Sequence, residues 1–147
     1  MPQSLSNVLL HLVFSTKGRT PWIDPEIRAE LYPYIGATLR GHDCPVLQIG
    51  GIEDHVHILA RLSRSMTIAQ LVQKAKTSSS KWMKAKVPGF AWQAGYGAFS
   101  VSPNDVQAVV KYIQDQEQHH AKFSFQDELR RLLREAGIEP DERYLWD

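Results

Sequence analysis

Four short β-branched or apolar segments, helix-start signals at Asp24, Thr67 and Ser102, and their succession as strand, helix, strand, strand, helix, strand together predict an α+β domain. That succession is the split βαβ pattern of ferredoxin-like domains: a four-stranded antiparallel sheet with helices on one face. A tyrosine-bearing helix follows it toward the C-terminus. At 147 residues with 43% hydrophobic content, the chain reads as one domain over 1–147. A chain of this length buries roughly two-thirds of its unfolded surface.

The elements follow in order. The run VLLHLVF from Val8 to Phe14 is too short and too apolar for a surface helix and reads as a buried strand. Asp24-Pro25 pairs a capping residue with proline at the first helical position, opening a helix that ends near Gly41. Residues 45–52 and 55–62 read as two strands joined tightly around Glu53-Asp54. Thr67-Ile68-Ala69-Gln70 is a capping box, in which hydroxyl and amide satisfy orphan backbone groups reciprocally. The helix it starts runs to about residue 86, before Pro88-Gly89. Gly97 to Val101 reads as the fourth strand. Ser102-Pro103-Asn104-Asp105 repeats the start logic for a helix reaching about residue 121. A short helix after Ser124 closes near Gly137.

Charge is segregated along the chain. Residues 1–54 carry four basic and six acidic groups, and residues 105–147 carry six and ten. Residues 55–104 carry seven basic groups and no acid. The net charge of +1 therefore averages two acidic flanks and one positive block, which reads as a surface for a polyanion or as a solvated helix face. One cysteine, Cys44, leaves no disulfide framework within the chain. No apolar run approaches the roughly 18 residues of a membrane span, and MPQSLSN lacks the pattern of a secretory signal. A cytoplasmic, nucleoid-associated protein with no membrane partner is the expectation.

His55-Val56-His57 carries the most chemistry. Residues two apart on a strand share a face, with Cα atoms roughly 6–7 Å apart, so two imidazoles can converge on one metal ion. Val56, Ile58, Ala60 and Leu62 take the opposite face, which leaves the histidines on the side expected to be free of helices. A hydrogen-bonded histidine pair remains the alternative. On the helix after Ser102, Val106, Val109, Val110 and Ile113 form a core stripe, with Tyr112 on its shoulder. Gln116 and His120 follow at i+4 and i+8 on the tyrosine side.

These residues resemble the HUH single-tyrosine transposases of the smallest bacterial insertion sequences, including relatives associated with repetitive extragenic palindromes. The resemblance rests on His55-Val56-His57 and Tyr112-Ile113-Gln114-Asp115-Gln116. It extends to His11, Phe14-Ser15-Thr16-Lys17, Ile49-Gly50-Gly51, Trp92-Gln93 and Gly95-Tyr96. It implies Tyr112 as nucleophile and His55, His57 and Gln116 as metal ligands, with His119 and His120 as nearby candidates. It also implies a homodimer acting on single-stranded DNA that contains a hairpin. Typically the tyrosine helix of one subunit completes the histidine pair of the other.

The chemistry is consistent with the residues themselves. A phenol with an unperturbed pKa of about 10 is a weak nucleophile, and a divalent ion, Mg²⁺ or Mn²⁺, would stabilise charge at the phosphate. Attack by Tyr112 would leave a 5′-phosphotyrosine whose retained bond energy allows rejoining without a nucleotide cofactor, and the chain has no phosphate-binding glycine loop. Lys17, Arg19, Lys74 and Lys81 are expected at backbone phosphates, and Arg61, on the histidine side of its strand, at the scissile one. Trp82 is expected to stack unpaired bases, while Trp92 and Phe99 fit core packing as well. A two-histidine phosphoesterase would need a second His-x-Thr/Ser motif, which is missing. A non-catalytic or domesticated single-strand-binding module is the remaining alternative.

Overall fold

The alternation in the first strand sets the layout of the whole domain. In the computed structural model, which describes residues 2–146, β1 (Val8–Ser15) lies between β3 (His55–Leu62) and β4 (Gly97–Val101), antiparallel to both. β2 (Val46–Ile52) pairs with β3 at the edge, giving the order β2-β3-β1-β4. The register pairs Ser15 with His55 and Val13 with His57. One face therefore carries Leu10, Leu12, Phe14, Val56, Ile58 and Ala60, and the other carries His11, Val13, His55 and His57.

The first face is covered by α1 (Pro25–Gly41) and α2 (Ile68–Lys84). Leu31, Ile35 and Leu39 from α1 and Leu71, Val72, Ala75 and Met83 from α2 complete the main core, each large side chain contributing roughly 1.5–3 kcal/mol by its burial. Both helix starts follow their sequence signals. The Asp24 carboxylate accepts from the Ile27 amide, and Thr67 and Gln70 form the reciprocal capping box.

The second face is covered too, and here the structure departs from expectation. The segment after Ser102 is not one helix to residue 121. A single 3-10 turn leads into α3 (Val106–Gln114), the backbone leaves helical geometry at Asp115, and α4 (Gln116–His120) restarts. The break turns Gln116 inward, to 1% exposure. Ser124 then caps α5 (Phe125–Glu135), whose Phe125, Leu129 and Leu133 form a second apolar cluster with Val13. A short α6 (Glu142–Leu145) follows, and Leu145 and Trp146 pack on that cluster. An amphipathic helix must bury its stripe, and the histidine side of the sheet is the surface that accepts it. His55 and His57 are consequently fully buried instead of lying on a bare face. No helix among the described residues is long and apolar enough to cross a membrane.

Candidate active site

The site is built where β3, α3, α4 and α5 meet. His55 and His57 project from alternate positions of β3, and each ring is held from behind by a different partner. His55 Nδ1 bonds Asp54 Oδ1 at 2.8 Å, and His57 Nδ1 bonds His11 Nε2 at 2.8 Å. Their Nε2 atoms converge on Glu128 Oε1, at 3.3 Å from His55 and 3.0 Å from His57. His120 Nε2 reaches the same oxygen at 3.1 Å, while its Nδ1–H donates to the Phe123 carbonyl. Gln116 Oε1 lies 3.0 Å from both His55 Nε2 and His120 Nε2. On the other carboxylate oxygen, Glu128 Oε2 accepts from the Tyr112 hydroxyl and from Gln116 Nε2. Arg131 Nη2 donates to the Tyr112 oxygen at 3.2 Å, with its guanidinium 5.7 Å from the ring centroid.

Electrostatics follow from this crowding. Burial opposes ionisation of Glu128, yet hydrogen bonds from His120, His55 and His57 outweigh it and hold the carboxyl far below its usual range. Burial likewise opposes charge on His55, but bonds to Asp54 and Glu128 raise it to about 9. Burial dominates at His57, which falls to about 4, and at His11, which falls to about 3. Burial and then Glu128 push the Tyr112 hydroxyl above its ordinary value. The ionised Glu128 therefore accepts the Tyr112 hydrogen bond and is a weaker base than an ordinary carboxylate.

The donor set fits a divalent metal ion. One ligand atom each from His55, His57, His120 and Glu128 lies within 4.8 Å of the others. The spacings of 3.0–3.3 Å to Glu128 Oε1 match neighbouring ligands around one ion with bonds of about 2.1 Å. Asp54 and His11 are the kind of outer partners that fix ligating imidazoles.

The structure brings Tyr112, His55, His57, Gln116 and His120 together around Glu128. His119 stands at the margin, 5.7 Å from the Tyr112 ring. The expected DNA contacts are dispersed. Arg61 sits toward the far end of β3, exposed, with Nε on Asn7 Oδ1. It lies four strand positions from His57, roughly 13 Å along a strand, so it is removed from the histidine pair. Lys74 and Lys81 are exposed on α2. Trp82 stacks on Tyr34 at 6.0 Å with Lys86 Nζ 4.8 Å above it, so its ring is already engaged by α1. Lys17 and Arg19 form the 3-10 turn after β1, where Arg19 lies 5.6 Å from the Trp146 ring.

Glu128, Asp54 and the packing role of His11 are the functional features missing from the sequence reading. Glu128 does leave a signal: it is an acid three residues after Phe125 and one before Leu129, inside the apolar stripe of its helix. His11 is likewise the one polar residue between Val8 and Phe14 in an otherwise apolar run.

The four-stranded sheet, with a histidine–carboxylate cluster beside a tyrosine, has the tyrosine-transposase fold. The chain resembles a transposase candidate from Deinococcus radiodurans R1 (TM-score 0.64, 20% identity, covering 79% of this chain and 95% of that one). It also resembles a REP-associated tyrosine transposase solved with a REP hairpin (TM-score 0.63, 12% identity, covering 95% of this chain and 87% of that one). No curated protein matches it. The family model for IS200-like transposases matches residues 4–116, and the chain belongs to that family.

Proposed function

We propose that this chain cleaves and rejoins single-stranded DNA containing a hairpin, through a 5′-phosphotyrosine on Tyr112. The observation that carries the reading is the shared carboxylate: one oxygen of Glu128 holds the Tyr112 hydroxyl and the other holds His55, His57 and His120. The nucleophile and the metal-ligating groups thus address the same point. In the reaction, the Tyr112 oxygen bonds to phosphorus, the bond from phosphorus to the 3′-oxygen breaks, and that oxygen leaves as a hydroxyl carrying the proton the tyrosine gives up. A second 3′-hydroxyl reverses the step. His55, His57 and Glu128, with His120 or Gln116 completing the set, would hold a divalent ion, which would supply Lewis-acid stabilisation of the phosphate charge. The nitrogen-rich donor set favours Mn²⁺ over Mg²⁺. Asp54 and His11 hold the two imidazoles in aim, and Arg131 sits beside the tyrosine oxygen, placed to offset charge arising there. The hairpin bound by the REP-associated neighbour supports a hairpin substrate, and the setting proposed is cellular DNA in the cytoplasm.

The test is incubation of a labelled hairpin oligonucleotide with Mn²⁺, read on a denaturing gel. Wild type is expected to give a covalent shifted band, and Tyr112→Phe to bind the DNA without one. A shifted band surviving in Tyr112→Phe overturns the nucleophile assignment. The lack of any band across oligonucleotides and metals favours a binding module.

Tyr112 meets the histidine pair of its own chain, its ring 5.7 Å from that of His57, which supports a site complete in each subunit of a homodimer. Mixing Tyr112→Phe with His57→Ala chains is then expected to restore no activity, whereas recovery would show exchange of α3 between subunits.

A further inference from the structure

The segment before β4 carries Trp92-Gln93 and Gly95-Tyr96, residues to which the cleavage chemistry gives no part. It forms a ridge between two hollows. One is a cavity of about 370 Å³ over Val13 and Gly97, walled by Leu129, Leu133, Tyr144 and Trp146. The other is an open groove of about 590 Å³ between the ridge and Lys76, Lys81 and Lys84 of α2. Gln93 and Ala94 line both. The ridge is pinned: Lys76 Nζ donates to the carbonyls of Gln93 at 2.8 Å and Gly95 at 2.7 Å. Gln93 Oε1 accepts from the Ser15 amide and hydroxyl at 2.7 and 2.6 Å. These two bonds fix the amide plane.

The cavity adjoins the active site. Val13 pairs with His57 on one side and Gly97 on the other, and Leu129 follows Glu128 in α5. Tyr96 and Tyr144 at the cavity stay 43% and 79% exposed, more open than core packing requires. Exposed aromatic rings beside a lysine-lined groove, in a segment with no acid from 55 to 104, match a ligand that is flat and apolar on one part and anionic on the next.

We propose that the cavity is a subsite for one unpaired nucleobase of single-stranded DNA, with the adjoining phosphates lying along the lysine groove. This rests on the proposed DNA-processing reading and adds where the strand runs. Stacking on tyrosine accommodates any base, and Lys81 and Lys84 neutralise the backbone. The volume falls at the small end of ligand sites.

Binding is measured by fluorescence anisotropy with the Tyr112→Phe chain in EDTA, using a labelled single strand and a series made abasic at each position in turn. One abasic position is expected to weaken binding about tenfold. Adding Tyr96→Ala and Tyr144→Ala is expected to weaken the intact strand by about the same factor, and to remove the penalty at that position. Lys81→Ala with Lys84→Ala should flatten the salt slope by about 1.4. Both tyrosines are exposed, and circular dichroism checks that the variants are folded. No sensitive abasic position, or a tyrosine variant that binds as tightly as its parent, overturns the subsite while leaving adduct formation at Tyr112 untouched. A chain that binds no single strand overturns the subsite and the DNA-processing reading together.

Discussion

His55 and His57 face the same carboxylate, yet one is raised to about 9 and the other lowered to about 4. Both are buried, so the difference lies behind the rings. His55 has the Asp54 carboxylate at Nδ1, while His57 has only the neutral imidazole of His11. A carboxylate favours added charge on its partner, whereas an imidazole passes on a hydrogen bond and fixes orientation. His11→Phe keeps a ring in place but frees His57 Nδ1. It is expected to weaken Mn²⁺ binding about tenfold or more by isothermal calorimetry. His11→Gln, whose carbonyl can accept from Nδ1–H, should recover most of the loss, and an unchanged affinity in His11→Phe would refute the positioning role. Glu128→Gln removes the charge at the hub while keeping its shape. It should weaken Mn²⁺ more than His11→Phe does and lower the His55 pKa, followed by histidine NMR titration in the metal-free chain.

At the scale of elements, the site depends on how closely α3 approaches β2. A Cβ at Gly50 would lie 2.2 Å from the Ile113 carbonyl oxygen, so only glycine lets the tyrosine helix seat there. Gly50→Ala is expected to destabilise the fold by about 1–3 kcal/mol, as overpacking does, and to reduce adduct formation by displacing Tyr112. Urea denaturation checks the first effect, and a shift below 0.5 kcal/mol, the scale of an ordinary surface substitution, would contradict it. The helix starts at Asp24, Thr67, Ser102 and Ser124 are legible in the sequence because each carries its own capping chemistry. The hairpin and the histidine spacing are legible because strand periodicity is local. The break at Asp115 is not, since the stripe through Val106, Val110 and Ile113 continues in phase toward Gln116 and nothing local forbids one helix. The Glu128 hub is not either, because its meaning lies in partners such as His57, 71 positions away. Burial of the histidine face is hidden for the same reason: the stripe of α5 announces that it must pack, but not against which side of the sheet.

For the whole molecule, the buried cluster makes metal, protons and stability one problem. His11 and His57 have folded pKa values of about 3 and about 4, below the unfolded 6.5. The unfolded chain therefore binds more protons once pH drops under 6.5, and stability falls by up to about 1.4 kcal/mol per unit for each ring. His55 runs the other way. Raised to about 9, it contributes stability fully present below pH 6.5 and lost as pH climbs from 6.5 to 9. The opposing slopes are expected to give the metal-free chain a melting temperature that peaks near pH 6.5 and declines on both sides. Metal ligation needs neutral imidazoles, so protons compete with the ion, and Mn²⁺ should raise the melting temperature more at pH 8.5 than at pH 6. Scanning fluorimetry in EDTA and in saturating Mn²⁺ from pH 5 to 9 reads both trends. A metal-free profile that rises steadily to pH 9 would show that His55 carries no extra proton in the fold. An Mn²⁺ increment independent of pH would show that the ion does not bind through the histidine pair.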